Sequence, residues 1–241
     1  MLPASGALEI DPAATPVRLM GLYDRLLLPR LLALGMRAPE LVPYRRRVAG
    51  AASGRVLELG IGPALNLPLY GPGVTSVVGV DPSPTLLDMA GARRLNIPFR
   101  VDLLEGSAEA LPLDDASVDS VVTTWTLCSV ADPIRALREA RRVLRPGGRL
   151  LFVEHGRAPE LRVSRWQDRL TPFWKRVAGG CHLNREIDSL VSAAGFRMER
   201  LDTGYMRGPR VMTFMYSGQA RKPSDHHLDP PVREDPTLER V

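Results

Sequence analysis

The stretch Arg55–Asn66, RVLELGIGPALN, constrains this chain more than any other part of it. A short apolar run with β character (Val56, Leu57, Leu59) carries an acid, Glu58, and breaks into a turn punctuated by Gly60 and Gly62. A helical pattern follows, and a second apolar run then ends in another acid, Asp81, in SVVGVDPSP. Strand, glycine turn, helix, strand and acid make the arrangement of a nucleoside-binding α/β domain. Glycine at 60 and 62 permits positive φ and a close backbone approach that a β-carbon would obstruct. Asp81 stands where a carboxylate accepts both ribose hydroxyls of a nucleoside. An ordinary tight βα turn with a solvated glutamate would give the same local pattern without any ligand.

The turn discriminates among nucleosides. A dinucleotide site calls for G-x-G-x-x-G, which leaves a bare helix N-terminus for a pyrophosphate. The third glycine of that pattern is Leu65 here, which argues against an NAD-linked oxidoreductase. Glu58 would also repel a pyrophosphate, whereas a carboxylate suits a cationic amino-acid ligand. S-adenosylmethionine, with an ammonium, a sulfonium and an adenosine, fits this charge layout better than NAD. Asn66 and Pro82, which flank the two motifs, are grouped with them as cofactor-binding candidates.

Length and composition narrow the class. At 241 residues the chain suits one sizeable α/β domain, and 44% apolar with 5% aromatic residues describes an aliphatic core. A pI near 9.7 invites a nucleic-acid reading. Of the 32 basic residues, however, all but Lys175 and Lys222 are Arg, and no run exceeds Arg45-Arg46-Arg47. Without a basic stripe interleaved with aromatics, no nucleic-acid partner is expected. Cys128 and Cys181 form neither a disulfide framework nor a zinc-finger spacing, so no metal is expected. The first 16 residues lack the basic and apolar regions of a secretory signal. Arg18, Asp24, Arg25 and Arg30 interrupt the apolar window Val17–Met36, which is not expected to span a bilayer. These features read as a cytoplasmic protein.

Alternating periodicities give the organisation. Residues 1–16 read as a flexible leader and 17–50 as a helical cap broken near Pro29 and Pro39–Pro43. Residues 51–218 read as the nucleoside-binding domain, and 219–241 as a disordered tail. Strands are expected at 55–59, 76–80, 98–104, 118–124, 149–154, 196–203 and 210–217. Helices are expected at 84–95, 132–144 and near 184–194, with an Arg- and Trp-rich insertion after 154. Asp132-Pro133 is a cap followed by proline at the first helical position, and Pro146-Gly147-Gly148 a turn into the fifth strand. Helical crossovers between strands predict a mostly parallel sheet with ligands beyond its carboxyl ends. The polar positions at those ends are Glu58–Gly62, Asp81, Ser107–Glu109, Thr124–Cys128 and Glu154-His155.

The motifs LELGIG with Asp81, EGSAEALPLDDASVDSV and RRVLRPGGRLLFVEH resemble those of class I S-adenosylmethionine-dependent methyltransferases, over roughly residues 18–217. The resemblance implies a Rossmann-like α/β fold: a seven-stranded, mostly parallel sheet, helices on both faces, an antiparallel last strand and an N-terminal helical lid. It implies S-adenosylmethionine as cofactor and S-adenosylhomocysteine as product. Glu58, Gly60 and Gly62 would line the methionine end, Asp81 would hold the ribose, and Ser107 with the Ala108 backbone would face the adenine. Thr124 would lie near the sulfonium. The N-terminal helices with Tyr23 and Asp24 resemble the lid of the quinone C-methyltransferase branch, which adds Tyr23 to the cofactor residues. Where the family usually reads G-x-G-T-G, this chain has Gly60-Ile61-Gly62-Pro63-Ala64. The Ala64 methyl would then sit close to the passage of the cofactor.

WTLCSV (125–130), VEHGRA (153–158) and GGCHLNRE (179–186) are similar to the animal methyltransferase-like family that methylates alkyl thiols at the endoplasmic reticulum, and to its bacterial relatives. The apolar N-terminal anchor of those animal proteins is not expected here. Residues Val17–Met36 are expected to cap the active site, with contact to a membrane surface or core packing as alternatives. A monomer or a homodimer is expected.

A sulfonium methyl is already activated, so the residues needed are those that align a nucleophile, remove its proton and exclude water. His155, after the fifth strand, has the intrinsic pKa of a general base, and Glu154 is the candidate to orient it. Loop hydrogen bonding is an equal reading of both residues. His182 is a second base candidate and, with Cys128, Cys181 and Trp125, is expected to line the acceptor pocket; Trp166, Phe173 and Trp174 are further candidate walls, and ordinary packing is an equal reading of the aromatics. His226 and His227 lie in the tail. The expected acceptor is a small lipophilic molecule, a thiol first and a phospholipid amine or quinone carbon second. A non-catalytic binder of S-adenosylmethionine is the reading of another class.

Overall fold

The structure, a computed structural model, describes residues 27–224. Its strands are β1 (Gly54–Leu59), β2 (Val74–Asp81), β3 (Arg100–Glu105), β4 (Val118–Thr124), β5 (Leu144–His155), β6 (Arg197–Tyr205) and β7 (Phe214–Arg221). They form one sheet in the order β3-β2-β1-β4-β5-β7-β6, in which only β7 runs antiparallel to its neighbours. This is the seven-stranded, mostly parallel Rossmann-like sheet that the motifs imply. The strand order reverses between β1 and β4, and the crevice beyond the carboxyl ends of those two strands is where such sheets bind ligands.

The central strands are apolar almost without interruption because helices cover both faces. Alternate residues feed opposite layers. Leu57, Val121 and Phe152 enter one core, with α4 (Pro133–Val143) and α6 (Ile187–Ala193). Val56, Val122 and Val153 enter the other, with α2 (Val42–Gly50) and α3 (Pro84–Arg94). The N-termini of α3 and α4 are capped as the sequence suggests: Ser83 and Asp132 accept the N–H of Leu86 and Arg135, with proline in the first turn of each. α1 (Leu28–Gly35) and α2 flank a single 3-10 turn at Pro39–Leu41. Pro29 lies in the first turn of α1, where its missing N–H has no intrahelical partner to lose. Residues 17–26, the remainder of the expected cap, lie outside the described residues.

Four local expectations are corrected. No α-helix follows the glycine turn of β1; Pro63, Pro68 and Pro72 allow only a 3-10 turn at Leu67–Leu69. The Arg- and Trp-rich insertion is a 17-residue helix, α5 (Leu161–Val177), which keeps Pro172 in its interior. β5 begins at Leu144, so Pro146-Gly147-Gly148 is a kink within the strand, with Gly147 at φ +74°, and not a turn before it. The last strand starts later than expected, because a short helix, α7 (Arg210–Thr213), occupies its first residues, and it continues to Arg221. Pairing with β5 and β6 thus carries order past the expected tail boundary at 218/219. Among the described residues no helix is long and apolar enough to cross a membrane.

Candidate active site

A cavity of about 1030 Å³ opens beyond the carboxyl ends of β1, β2, β4 and β5, closed above by α1 and by the end of α5. Its floor is the turn after β1. Gly60 adopts φ +63°, and a β-carbon there would lie 2.3 Å from Thr126 Oγ1, so the position admits glycine alone. The Gly60 and Ile61 amides donate to Val80 O at 2.9 and 3.1 Å, which ties the turn to β2. Asp81, 5% exposed, accepts from Gly62 N through one oxygen and from Ser83 N through the other, both at 2.9 Å. Burial raises its pKa, and those two amides oppose the rise. Gly62, Asp81, Pro82, Ser107, Ala108 and Thr124 all line the cavity.

Other expectations for this end are corrected. Ala64 does not border the cavity: it is fully buried, with φ +58°, and its methyl packs in the core beside Leu67 and Val122. Glu58 does not border it either. Its oxygens are taken by Asn66 Nδ2 and by the Tyr70 hydroxyl, each at 2.7 Å. Burial pushes its pKa up to about 7, against the hydrogen bonds of Tyr70 and Asn66 and the charge of Arg45. Asn66 is likewise buried, bridging Glu58 and Thr124 from behind the cavity wall. Besides Asp81, this end presents a positive charge to the cavity.

That charge is Arg45, which sequence reasoning missed. Arg45 is buried on α2, donates to Asn66 Oδ1 (3.0 Å), Thr124 Oγ1 (3.3 Å) and Met36 O (3.4 Å), and stacks 4.8 Å over the Trp125 ring. Burial pulls its pKa down to about 10, with Glu58 opposing. Its Nε has no protein partner, although the atom is buried. The usable signal was helical spacing: Arg45 shares the buried face of α2 with Val48 and Ala49, three and four residues on. Trp125 adopts φ +52°, a conformation a large side chain keeps only when its surroundings enforce it.

Three segments meet at the other end: the loop after β4, the end of β5 and the loop after α5. They bring Cys128, His155 and Cys181 together, with one ligand-type atom from each within 4.8 Å of the others. The two cysteines that show no metal spacing along the sequence are thus neighbours in space. His155 Nε2 lies 2.9 Å from Cys181 Sγ, Trp174 Nε1 donates to the same sulfur at 3.3 Å, and His155 Nδ1 has no partner. The cluster polarises itself. The adjacent Cys181 thiol, with help from the His155 charge, drives the Cys128 thiol down despite burial. Cys181 is in turn pushed up beside Cys128. Burial pulls His155 down, but the charge and hydrogen bond of Cys128 and the charge of Glu154 leave it raised.

Glu154 neither borders the cavity nor orients a histidine. Fully buried, it accepts from Thr123 Oγ1 (3.0 Å) and from the backbone amides of Thr126, Leu127 and Cys128 (2.9, 3.1 and 3.3 Å). Burial and then the Cys128 charge push its pKa up to about 8. It anchors the loop that carries Cys128. His182 is also outside the cavity, with its amide donating to Cys128 O at 2.7 Å and its ring Nδ1 3.2 Å from the same oxygen. Burial, then Arg185, lowers its pKa. Trp125 and Trp174 line the cavity, whereas Trp166 and Phe173 are exposed. Tyr23, His226 and His227 fall outside the described residues.

Residues 57–152 match the family described as "Methyltransferase domain". Human thiol S-methyltransferase TMT1B is 40% identical over 170 residues, which cover 67% of this chain and 69% of the human protein. Human TMT1A is 36% identical over 168 residues, covering 67% and 68%. Rat TMT1B is 37% identical over 151 residues, and this chain spans 62% of its length. A solved SAM-dependent methyltransferase from Aquifex aeolicus superposes with a TM-score of 0.58 at 18% identity, covering 80% of this chain and 97% of that one, and shows the same fold.

The cavity suits S-adenosylmethionine on its own features. The turn leaves its floor free of side chains at Gly60 and Gly62. Asp81 offers lone pairs beyond the two it gives the backbone. Arg45 brings a guanidinium to the cavity wall, a cation that suits the methionine carboxylate.

Proposed function

Because this chain belongs to the S-adenosylmethionine-dependent methyltransferases, in the family of the thiol S-methyltransferases TMT1A and TMT1B, we propose that it transfers a methyl group to the thiol of a small lipophilic acceptor. The observation that carries this reading is the Cys128–His155–Cys181 cluster facing a cavity end walled by Leu28, Leu32, Trp174 and Leu183. Such walls take an apolar body, and the cluster takes a polarisable sulfur.

When bound, S-adenosylmethionine supplies a methyl group on a sulfonium, already activated toward a nucleophile. Asp81 would hold the ribose hydroxyls, and the Arg45 guanidinium with Thr124 the methionine carboxylate. Trp174 and α1 exclude water from the acceptor end, which strengthens every charge interaction there. The acceptor must arrive as a thiolate, and His155 is the cavity group able to favour that form. Of the pair Pro63-Ala64 that departs from the usual turn, Pro63 borders the cavity and the Ala64 methyl lies in the core.

Incubation with methyl-labelled S-adenosylmethionine and matched alkyl thiol, amine and quinone acceptors tests this. Label on the thiol is expected. Label on the amine or quinone alone would replace the acceptor assignment, and calorimetric binding of NAD but not S-adenosylmethionine would overturn the cofactor role.

Contact with a membrane is proposed through α5 as well as α1. Trp166, Leu170 and Phe173 are exposed on α5 between basic residues, and Leu31 and Leu34 on α1. Arg169 stacks 5.4 Å over Trp166. Exposed aromatics among cations suit an anionic bilayer surface. Cosedimentation with phosphatidylglycerol vesicles, weakened by salt and by Phe173→Glu, is the expected result; no cosedimentation would refute it.

A further inference from the structure

We propose that Cys128, His155 and Cys181 form a three-ligand site for a thiophilic divalent cation, zinc in the first instance, whose fourth position opens into the cavity and takes the acceptor sulfur. The inference rests on the thiol reading above for the occupant of the fourth position, but not for the metal site itself.

The donor set is the first argument. Two sulfurs and one imidazole are borderline-soft ligands, and three protein ligands with one open position is the pattern of zinc sites that do chemistry. Distances agree. With Zn–S of about 2.3 Å and Zn–N of about 2.0–2.1 Å, tetrahedral ligation puts sulfurs about 3.8 Å apart and sulfur and nitrogen about 3.5 Å apart. The three donor atoms already lie within 4.8 Å of one another, which is close to those separations.

The surroundings are built to hold these groups. Cys128 is 2% and Cys181 9% exposed. The backbone around Cys128 is fixed twice, its amide by Glu154 Oε2 and its carbonyl by the His182 amide. The Trp174 indole positions the Cys181 sulfur. Arg185 donates to Leu127 O and closes the loops on each other. His155 Nε2, 2.9 Å from Cys181 Sγ, is the ring nitrogen placed to ligate. All three ligand residues border the cavity, so a metal between them would face it rather than sit sealed in protein.

The chemistry follows from an open position. A thiol that coordinates zinc loses its S–H proton to water as the Zn–S bond forms, and it stays a thiolate at neutral pH. The sulfur is thereby ionised and pinned where the cluster borders the cavity. His155 would favour the thiolate as a ligand of the metal and not as a free base.

The test uses the full chain without an affinity tag, kept reduced and stripped with a chelator. Zinc titrated against a chromophoric chelator should bind at one equivalent per chain. Cobalt should give thiolate-to-metal charge-transfer absorption with the intense d–d bands of tetrahedral coordination. Cys128→Ser, Cys181→Ser and His155→Ala should each weaken zinc by about 100-fold or more, since loss even of an outer partner costs about 10–100-fold. Thermal melts of each variant, and the cobalt spectrum of the unaltered protein, separate ligand loss from misfolding. No zinc binding, or cobalt bands without thiolate character, overturns the site. An alkyl thiol that perturbs the cobalt spectrum supports the open position. If zinc binds and no thiol alters the spectrum, the thiol reading fails and the metal site stands. If thiol turnover proceeds in metal-free protein, the role of the metal in holding the acceptor sulfur fails and the thiol reading stands.

Discussion

Replacing Asp81 by Asn separates the ligand role of that side chain from its structural one. The carboxylate accepts from Gly62 N and Ser83 N, one per oxygen, so it joins the turn after β1 to the start of α3 before any ligand arrives. An amide of the same shape accepts through one oxygen only and presents an N–H₂ to the other donor. One buried backbone amide loses its partner, a cost of about 1–3 kcal/mol, which should lower the melting temperature of the unliganded protein by several degrees. The ribose loses a charged acceptor as well. Charge-assisted bonds contribute about 1.5–3 kcal/mol, so S-adenosylmethionine affinity should fall roughly 10- to 150-fold. Isothermal calorimetry gives the affinity, and melts with and without cofactor give the stability. A lower melting temperature with an unchanged dissociation constant would refute the ribose role and leave Asp81 a joint between two loops.

Other perturbations should be as selective. Arg45→Met should cost about 2–4 kcal/mol of stability, because it leaves Glu58 and Asn66 buried without their cation, and should weaken cofactor binding; Arg45→Lys should restore little, lacking the guanidinium fork. Denaturant titration of both variants checks this, and full rescue by lysine would count against it. Glu58, raised from 4.5 to about 7 by burial, contributes stability that is full below about pH 4.5 and lost as pH rises through about 7. The loss is at most about 3 kcal/mol. The unfolding free energy of Glu58→Gln relative to the unaltered protein should therefore change over that window, and parallel pH curves would contradict it. His155→Ala should depress methyl transfer while leaving calorimetric cofactor affinity nearly unchanged; intact turnover would remove His155 from the mechanism.

The fold was legible because its signals are local and repeated. Apolar runs at β1, β4 and β5, the caps at Ser83 and Asp132, and the glycine turn with Asp81 each point to the same sheet. What the sequence hid were partnerships. Glu58 reads as a ligand acid by its position in the motif, yet Tyr70 and Asn66 consume both its oxygens. Arg45 reads as one of three surface arginines until the tilt of α2 sets it behind Thr124 and Trp125. Ala64 reads as a collision because side-chain direction in a left-handed turn residue is not visible from spacing. Cys128, His155 and Cys181 lie in three segments whose meeting depends on the whole β4–β5–α5 crossover.

The Glu154 anchor bears on how such a protein can diversify. Three of its four hydrogen bonds go to backbone amides of residues 126–128, and the loop around residue 182 is hung from Cys128 O by another amide. Main-chain attachments are indifferent to the side chains they carry. Sequence at these loops can therefore drift, and descendants can acquire new acceptors one substitution at a time, while the nucleoside end keeps its inherited grip.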